Sequence, residues 1–152
     1  MKNLFTAFLS IFIIACSTPE KNANSKIEIY DDSVLDIIDI YSEIEELADS
    51  ISLPEGPVWD EASQSLLFVD VMGNKLYKWN ENDGTSEYIS PSGNTGYAPN
   101  VDFGLLGANG LLIDENGDII LCQHGDRRLA KINNSSTNSP SFTTLVDNYD
   151  GG

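Results

Sequence analysis

The chain has 152 residues, 41% of them apolar and 21% charged, the length and mix of about one globular domain. Its charge is lopsided: 24 acidic against 8 basic side chains leave a net −16, which argues against a nucleic-acid partner held by phosphate neutralisation and against electrostatic docking on anionic lipid. Two cysteines cannot build a disulfide scaffold and one histidine cannot build a multi-histidine zinc site, so the metal that suits this chain is a hard, oxygen-seeking cation.

Met1-Lys2-Asn3 carries one positive side chain, and an apolar run over 4–15 follows, broken only by Thr6 and Ser10. That run is too short to span a bilayer, which takes about 20 residues. Charge, short apolar core and a small residue before a break predict a secretory signal over 1–16. Its end, Ile13-Ile14-Ala15-Cys16, resembles the bacterial lipobox, in which the cysteine is diacylated and becomes the first mature residue. The bland alternative is a plain signal with an incidental cysteine. Residues 17–26 are polar, with nothing to bury, and read as a flexible tether. Ser17 after the cysteine resembles an outer-membrane address in diderm bacteria. The expectation is an exported bacterial lipoprotein, at the outer membrane or facing the periplasm, that meets the membrane through its lipid anchor only.

From 28 to 61 acidic residues are dense, with Val34, Leu35, Ile37, Ile38, Ile40, Ile44 and Leu47 set among them. The 34/37/38/41 and 40/44/47 spacings allow short amphipathic turns; alternatively 44–51 forms an outer strand. A calcium-binding patch is the functional reading of these acids. A solvated face is favoured, because no Asp-x-Asp-x-Asp-Gly loop is present.

The rest of the chain contains a repeat. Glu55-Gly56-Pro57-Val58-Trp59-Asp60 aligns with Asn109-Gly110-Leu111-Leu112-Ile113-Asp114. Leu66-Leu67-Phe68-Val69-Asp70 then aligns with Ile119-Ile120-Leu121-Cys122-Gln123, and Lys75-Leu76-Tyr77-Lys78-Trp79 with Arg128-Leu129-Ala130-Lys131-Ile132. A fourth apolar stretch closes each unit, over 86–89 and 142–146. Turn residues fall at 61–65, Gly73-Asn74, Asn82-Asp83-Gly84, Glu115-Asn116-Gly117 and Gly125-Asp126. Four short strands recurring at this period predict an all-β chain of β-propeller type; two unrelated antiparallel meanders are the alternative. Glu55 and Asn109 fall at the same place, just before the innermost strand of each unit, where successive blades converge on an axis. A propeller needs about four blades to close, so two units predict a truncated N-terminal part over 27–152, with open edges and apolar faces.

Leu53-Pro54-Glu55-Gly56-Pro57-Val58-Trp59 and Asn74-Lys75-Leu76-Tyr77-Lys78-Trp79 resemble the opening blade of the senescence-marker-protein/gluconolactonase/luciferin-regenerating-enzyme-like family. Pro91-Ser92-Gly93, Gly107-Ala108-Asn109-Gly110-Leu111, Cys122-Gln123-His124-Gly125-Asp126-Arg127-Arg128 and Leu145-Val146-Asp147-Asn148-Tyr149-Asp150-Gly151 continue the match, which looks closest to the bacterial gluconolactonase branch. The resemblance implies a six-bladed propeller with one axial divalent cation, Ca²⁺ first, with Zn²⁺ or Mg²⁺ possible. It implies hydrolysis of a sugar lactone, a small-molecule partner; relatives cleave organophosphates. Glu55 matches the family's first metal ligand, and Asn109 a polar residue that contacts the axial site or the substrate. The family's later ligands, an Asn in Ser-Pro-Asn-Asp and an Asp in Ser-Asp-Gly, would lie beyond Gly152, and the general base is expected there too. The chain alone is therefore expected to be inactive.

Lactone hydrolysis needs a polarised carbonyl, an activated water and a stabilised oxyanion, which an oxygen-bound Ca²⁺ and a nearby carboxylate can supply. Each candidate has a bland counterpart. Glu55 could be a surface acid in a turn and Asn109 a turn residue. His124, just after a strand, either touches substrate at the mouth or makes a structural hydrogen bond. Cys122 reads as a small core hydrophobe. Asp126-Arg127-Arg128 reads as a local salt-bridged turn. The stretch 90–106 is a long loop, a lid or disordered. Two other functions stay open: a phosphotriesterase-like hydrolase on the same metal, and a non-enzymatic propeller that binds carbohydrate or protein.

Overall fold

The computed structural model describes residues 27–99, 106–134 and 139–150. Cys16 and the whole signal and tether lie outside the described residues. The chain divides into two units, 1–45 and 46–152.

In the first unit the described stretch holds one short element, a 3₁₀ turn over Asp32–Asp36. Asp31 caps it by accepting a 2.9 Å hydrogen bond from the Ser33 N–H. Of the amphipathic turns the spacing allows, this one forms and buries nothing, and a single hydrogen-bonded turn follows at 39–42, where the Ser42 N–H donates to the Asp39 carbonyl at 2.9 Å. Leu35, Ile37, Ile38, Ile40, Tyr41 and Ile44 stay exposed.

The second unit is all-β. Its strands are β1 (Pro54–Asp60), β2 (Ser65–Asp70), β3 (Lys75–Asn80), β4 (Gly84–Ile89), β5 (Ala108–Ile113), β6 (Ile119–Gln123), β7 (Arg128–Asn134) and β8 (Ser141–Val146). They form two four-stranded antiparallel sheets in sequence order, β1-β2-β3-β4 and β5-β6-β7-β8. This is the repeat read from the sequence, strand for strand. Segment 44–51 is not a strand: 44–49 carries no regular structure, and the Leu47 carbonyl is held by the Thr85 hydroxyl at 2.8 Å.

Alternation decides what each sheet buries. Leu67 and Val69 share one face of β2; register adds Val58 of β1, Leu76 of β3 and Ile89 of β4 to it. Leu67, Val69, Leu76 and Ile89 are fully buried, and they pack with Ala108 and Leu121 of the second sheet. Leu111, Ile113, Ile119, Ile132 and Phe142 complete that layer. The second sheet therefore turns its Ile119/Leu121 face inward and its Ile120/Cys122 face outward.

This corrects the reading of Cys122 as a core residue. Cys122 is exposed. Its repeat equivalent, Val69, is buried because the second sheet covers it. Among the described residues nothing covers the same face of the second sheet.

Candidate functional site

Two bulges build the candidate site. In β1, Glu55 pairs with Val69 and Val58 with Leu67, so Gly56-Pro57 stand opposite Phe68 alone. In β5, Ala108 pairs with Gln123 and Leu111 with Leu121, so Asn109-Gly110 stand opposite Cys122 alone. A bulge bends its strand and re-aims its side chains. Glu55 and Asn109 are thus not before their strands, as the sequence suggested. They are the second residue of each, at the bulge. The extra residue makes the displacement, and only pairing reveals it.

The two bulges touch. A Cβ placed on Gly56 would lie 3.0 Å from the Gly110 Cα, 3.2 Å from the Leu111 nitrogen and 3.3 Å from the Asn109 carbonyl oxygen. Gly56 also has φ +54°, the left-handed region that glycine enters without steric cost. The structure therefore brings the backbone at Gly56, next to Glu55, against that of Asn109 and Gly110. Both residues are exposed, and neither side chain has a hydrogen-bonding or ionic partner among the described residues. Glu55 also lines an open cleft of about 330 Å³ between 47–51 and the first sheet, with Leu47, Ala48, Ile51, Leu66 and Phe68.

His124 begins the β6–β7 turn. Its carbonyl accepts the Arg127 N–H at 3.2 Å, and its side chain is exposed, without a partner among the described residues. It stands two positions beyond Cys122, the residue facing the β5 bulge. It is at the same end of the sheets as Glu55 and Asn109 and outside their contact.

Sequence reasoning missed the groups that hold this end together. Asp70, buried at the end of β2, accepts the N–H groups of Ser52 and Leu53 at 3.2 and 3.1 Å. Burial alone would raise its carboxyl; backbone N–H bonds from Gly73, Ser52, Leu53 and Met72 outweigh that and hold it below the usual carboxylate value. The Asn74 side chain accepts from the Ser92, Gly93 and Asn94 N–H groups at 3.2, 2.8 and 3.1 Å. Gly93 admits no side chain, since a Cβ there would fall 2.1 Å from the Ala108 nitrogen.

The Asp126-Arg127-Arg128 turn is salt-bridged, with Arg128 3.5 Å from buried Asp126, but its reach is wider than local. Asp126 accepts from the Thr95 N–H and hydroxyl. Arg128 donates to Gln123 at 2.6 Å and to Thr144 at 2.8 Å, and lies 3.9 Å over the Tyr97 ring. The Tyr97 hydroxyl in turn donates to Asp147. The described part of the 90–106 loop, read from the sequence as a lid or as disordered, is fastened to the second sheet; its residues 100–105 lie outside the described residues. One signal was available in the sequence: Asp70 and Gln123 are repeat equivalents, both polar in otherwise apolar strands.

The residues present suit a hard cation in kind but not in number. The bulges carry one carboxylate and one amide, Glu55 and Asn109, and no group of three or more His, Cys, Asp or Glu side chains placed to hold a metal occurs among the described residues. Calcium takes six to eight oxygens.

Comparisons agree with this architecture. Residues 53–151 match the SMP-30/Gluconolactonase/LRE-like region. A gluconolactonase of Zymomonas mobilis is 33% identical over 115 residues, 76% of this chain and 32% of that protein. A regucalcin of Oryctolagus cuniculus is 65% identical over 26 residues, 17% of this chain and 9% of that protein. Among solved structures, a protein described as a candidate gluconolactonase superposes with a TM-score of 0.61 at 24% identity, covering 80% of this chain and 37% of its own. The gluconolactonase of Xanthomonas campestris gives 0.54 at 23%, covering 69% and 30%. These two share the propeller fold of this chain's sheets. The chain spans about a third of the length of the gluconolactonases it matches. With the family pattern matched over most of its length, the chain belongs to the SMP-30/gluconolactonase/LRE-like family.

Proposed function

We propose that this chain carries the first part of the active site of a metal-dependent sugar-lactone hydrolase, on an exported lipoprotein anchored through Cys16. One observation carries the reading. In a member of a family that includes gluconolactonases, Glu55 and Asn109 stand at equivalent bulges whose backbones approach each other at Gly56 and Gly110, both side chains exposed and unpartnered among the described residues. A carboxylate and an amide left open to solvent at the joint of two sheets are available to a ligand.

Glu55 would hold the cation, Ca²⁺ first, with its charge. Asn109 would offer its amide oxygen to the cation or its amide N–H to a sugar hydroxyl. When bound, such a cation polarises a carbonyl and orients water. His124 stands at the same end, where a donor to substrate is useful. Hydrolysis adds water to the lactone carbonyl, breaks the ring C–O bond and leaves an aldonate and a proton. No described residue is assigned as the base. Two protein oxygens alone predict weak calcium binding, so the chain by itself turns over lactone slowly or not at all.

The test is a calcium titration of the chain followed by nuclear magnetic resonance, with lactone turnover measured on the chain and on any longer product of the same reading frame. Glu55 and Asn109 signals should move together, weakly, and stop moving in Glu55→Gln. Chelation should stop whatever turnover exceeds the spontaneous rate. Tight binding unaffected by Glu55→Gln, or turnover indifferent to chelation, would sink the reading.

A further inference from the structure

The sequence contains two Asn-Gly pairs, Asn109-Gly110 and Asn116-Gly117. The glycine sets the chemistry of such a pair. With no side chain to shield it, the glycine nitrogen can attack the amide carbon of the asparagine before it. The new C–N bond closes a five-membered succinimide, and the side-chain nitrogen leaves as ammonia. Water then opens the ring at either carbonyl. The product is an aspartyl residue or an isoaspartyl one, whose backbone is longer by one methylene. In both, a neutral amide has become a carboxylate. An unfolded chain treats the two pairs alike; the fold does not.

Ring closure asks two things of a folded chain. The attacking N–H must leave its hydrogen bond, and the peptide around it must have room to rotate. Asn116-Gly117 meets both demands. The pair sits in the turn between β5 and β6, at the opposite end of the sheet from Asn109. Both residues are exposed, and a Cβ added to Gly117 would meet nothing within 4 Å. The Gly117 N–H donates to the Asp114 carbonyl at 3.0 Å, a bond in a solvated turn that opens locally while the strands stay paired. The Asn116 side-chain amide is held loosely, 3.4 Å from the Asp114 carboxylate.

Asn109-Gly110 lacks that room. It lies within β5, opposite Cys122 in the pairing with β6. Gly56 packs against it so closely that a Cβ there would lie 3.0 Å from the Gly110 Cα and 3.2 Å from the Leu111 nitrogen. Turning the Gly110 peptide toward the Asn109 side chain requires the joint of the two sheets to open.

We propose that Asn116 is a site of spontaneous deamidation, and that the packing of Gly56 on Gly110 protects Asn109 from the same reaction. The fold then keeps a neutral amide at the β5 bulge and yields one in the β5–β6 turn. The new carboxylate falls between Asp114, Glu115 and Asp118, where Lys131 is paired with Asp118 at 2.8 Å. The Asp114 carboxylate accepts the Asn116 and Asp118 N–H groups, each at 2.9 Å. The extra methylene of an isoaspartyl residue puts those two bonds out of step. The proposal does not depend on the lactonase reading, since no step of it uses a metal or a substrate.

The test incubates the full chain, in non-ionic detergent, in warm and mildly alkaline buffer, once folded and once in urea. Peptide mass spectrometry reads the mass gain at each pair, and labelling by an isoaspartate methyltransferase counts isoaspartyl residues. In the folded chain Asn116 should convert at least about tenfold faster than Asn109, as a smaller opening free energy implies. In urea the two rates should come together. Asn116→Gln keeps an amide in the turn and should remove the isoaspartyl label from the folded chain. The comparison of folded and urea-treated wild type needs no variant to fold. Asn109 keeping pace with Asn116 in the folded chain would overturn the proposal. So would an Asn116 that converts in urea and stays intact when folded, or a rate ratio that urea leaves unchanged.

Discussion

At the scale of single residues, chemistry and burial are read from different evidence. That Glu55 and Asn109 take equivalent places in the two sheets was legible because a repeat places them in register, and a shared position is a sequence property. Cys122 was misread because Ile-Ile-Leu-Cys-Gln looks like buried strand from within. Whether its face is covered depends on which sheet lies beyond it, and no local pattern carries that. Asp70 shows the reverse case: a charge at a strand end looks solvated in sequence, yet it is buried and gathers four backbone N–H groups. Its carboxyl lies below the usual value when folded, so it contributes stability that is fully present above the unfolded carboxylate pKa, near 3.8. That contribution is lost as pH falls through the lower, folded value. Asp70→Asn should therefore lower stability by about 1.5–3 kcal/mol near neutrality, the usual worth of hydrogen bonds to a charged group. The gap between variant and wild type should close in acid below pH 3.8. Urea melts at neutral and acid pH measure both. At the bulges, Glu55→Gln should cut any calcium-dependent signal far more than Asn109→Ala, since it removes formal charge whereas Asn109→Ala removes one neutral contact. Stability should change little in either variant, because both side chains are exposed and unpartnered among the described residues, and melts of the two variants check this.

At the scale of elements, all eight strands were legible, because alternation and turn residues are short-range signals. The bulges were not, for a bulge is a relation between two strands. Their joint is tight: Gly56 sits at φ +54° against the Gly110 Cα. Gly56→Ala should cost about 1–2 kcal/mol from the left-handed conformation alone, and more from the close approach. The equivalent Gly110 would bring a Cβ within 3.2 Å of only the Cys122 sulfur, so Gly110→Ala should cost less. A thermal melt of each variant reads the difference. The network around Arg128 is the other element-scale feature absent from the sequence reading, because its members come from the 90–99 loop, the β6–β7 turn and β8. Arg128→Lys keeps the charge but loses the planar fork that serves Gln123, Thr144 and Asp126 together. It should destabilise the chain by about 1–3 kcal/mol and loosen Tyr97, read as faster amide exchange over 92–97.

At the scale of the whole molecule, charge and address belong to one argument. The chain carries −16, so an anionic membrane surface repels it, and no helix among the described residues is long and apolar enough to cross a bilayer. On the proposed lipoprotein reading, membrane residence comes from acyl chains, worth about 0.8 kcal/mol per buried methylene. One chain holds a protein only marginally, whereas the diacyl group expected on Cys16 holds it firmly. An anchor of this kind makes a definite prediction. Attachment that owes nothing to electrostatics should survive a high-salt wash, which strips proteins held by charge. Expressed in a diderm bacterium, the wild-type chain should take up labelled palmitate and remain in the salt-washed membrane fraction. Cys16→Ala should take up none and leave that fraction, while Cys122→Ala should behave as wild type, since Cys122 lies within β6, far along the chain from the signal. Salt release of the wild type would show that charge holds it after all. A Cys16→Ala chain that stays membrane-bound, beside a wild type that takes no label, would remove the lipid anchor from the account altogether.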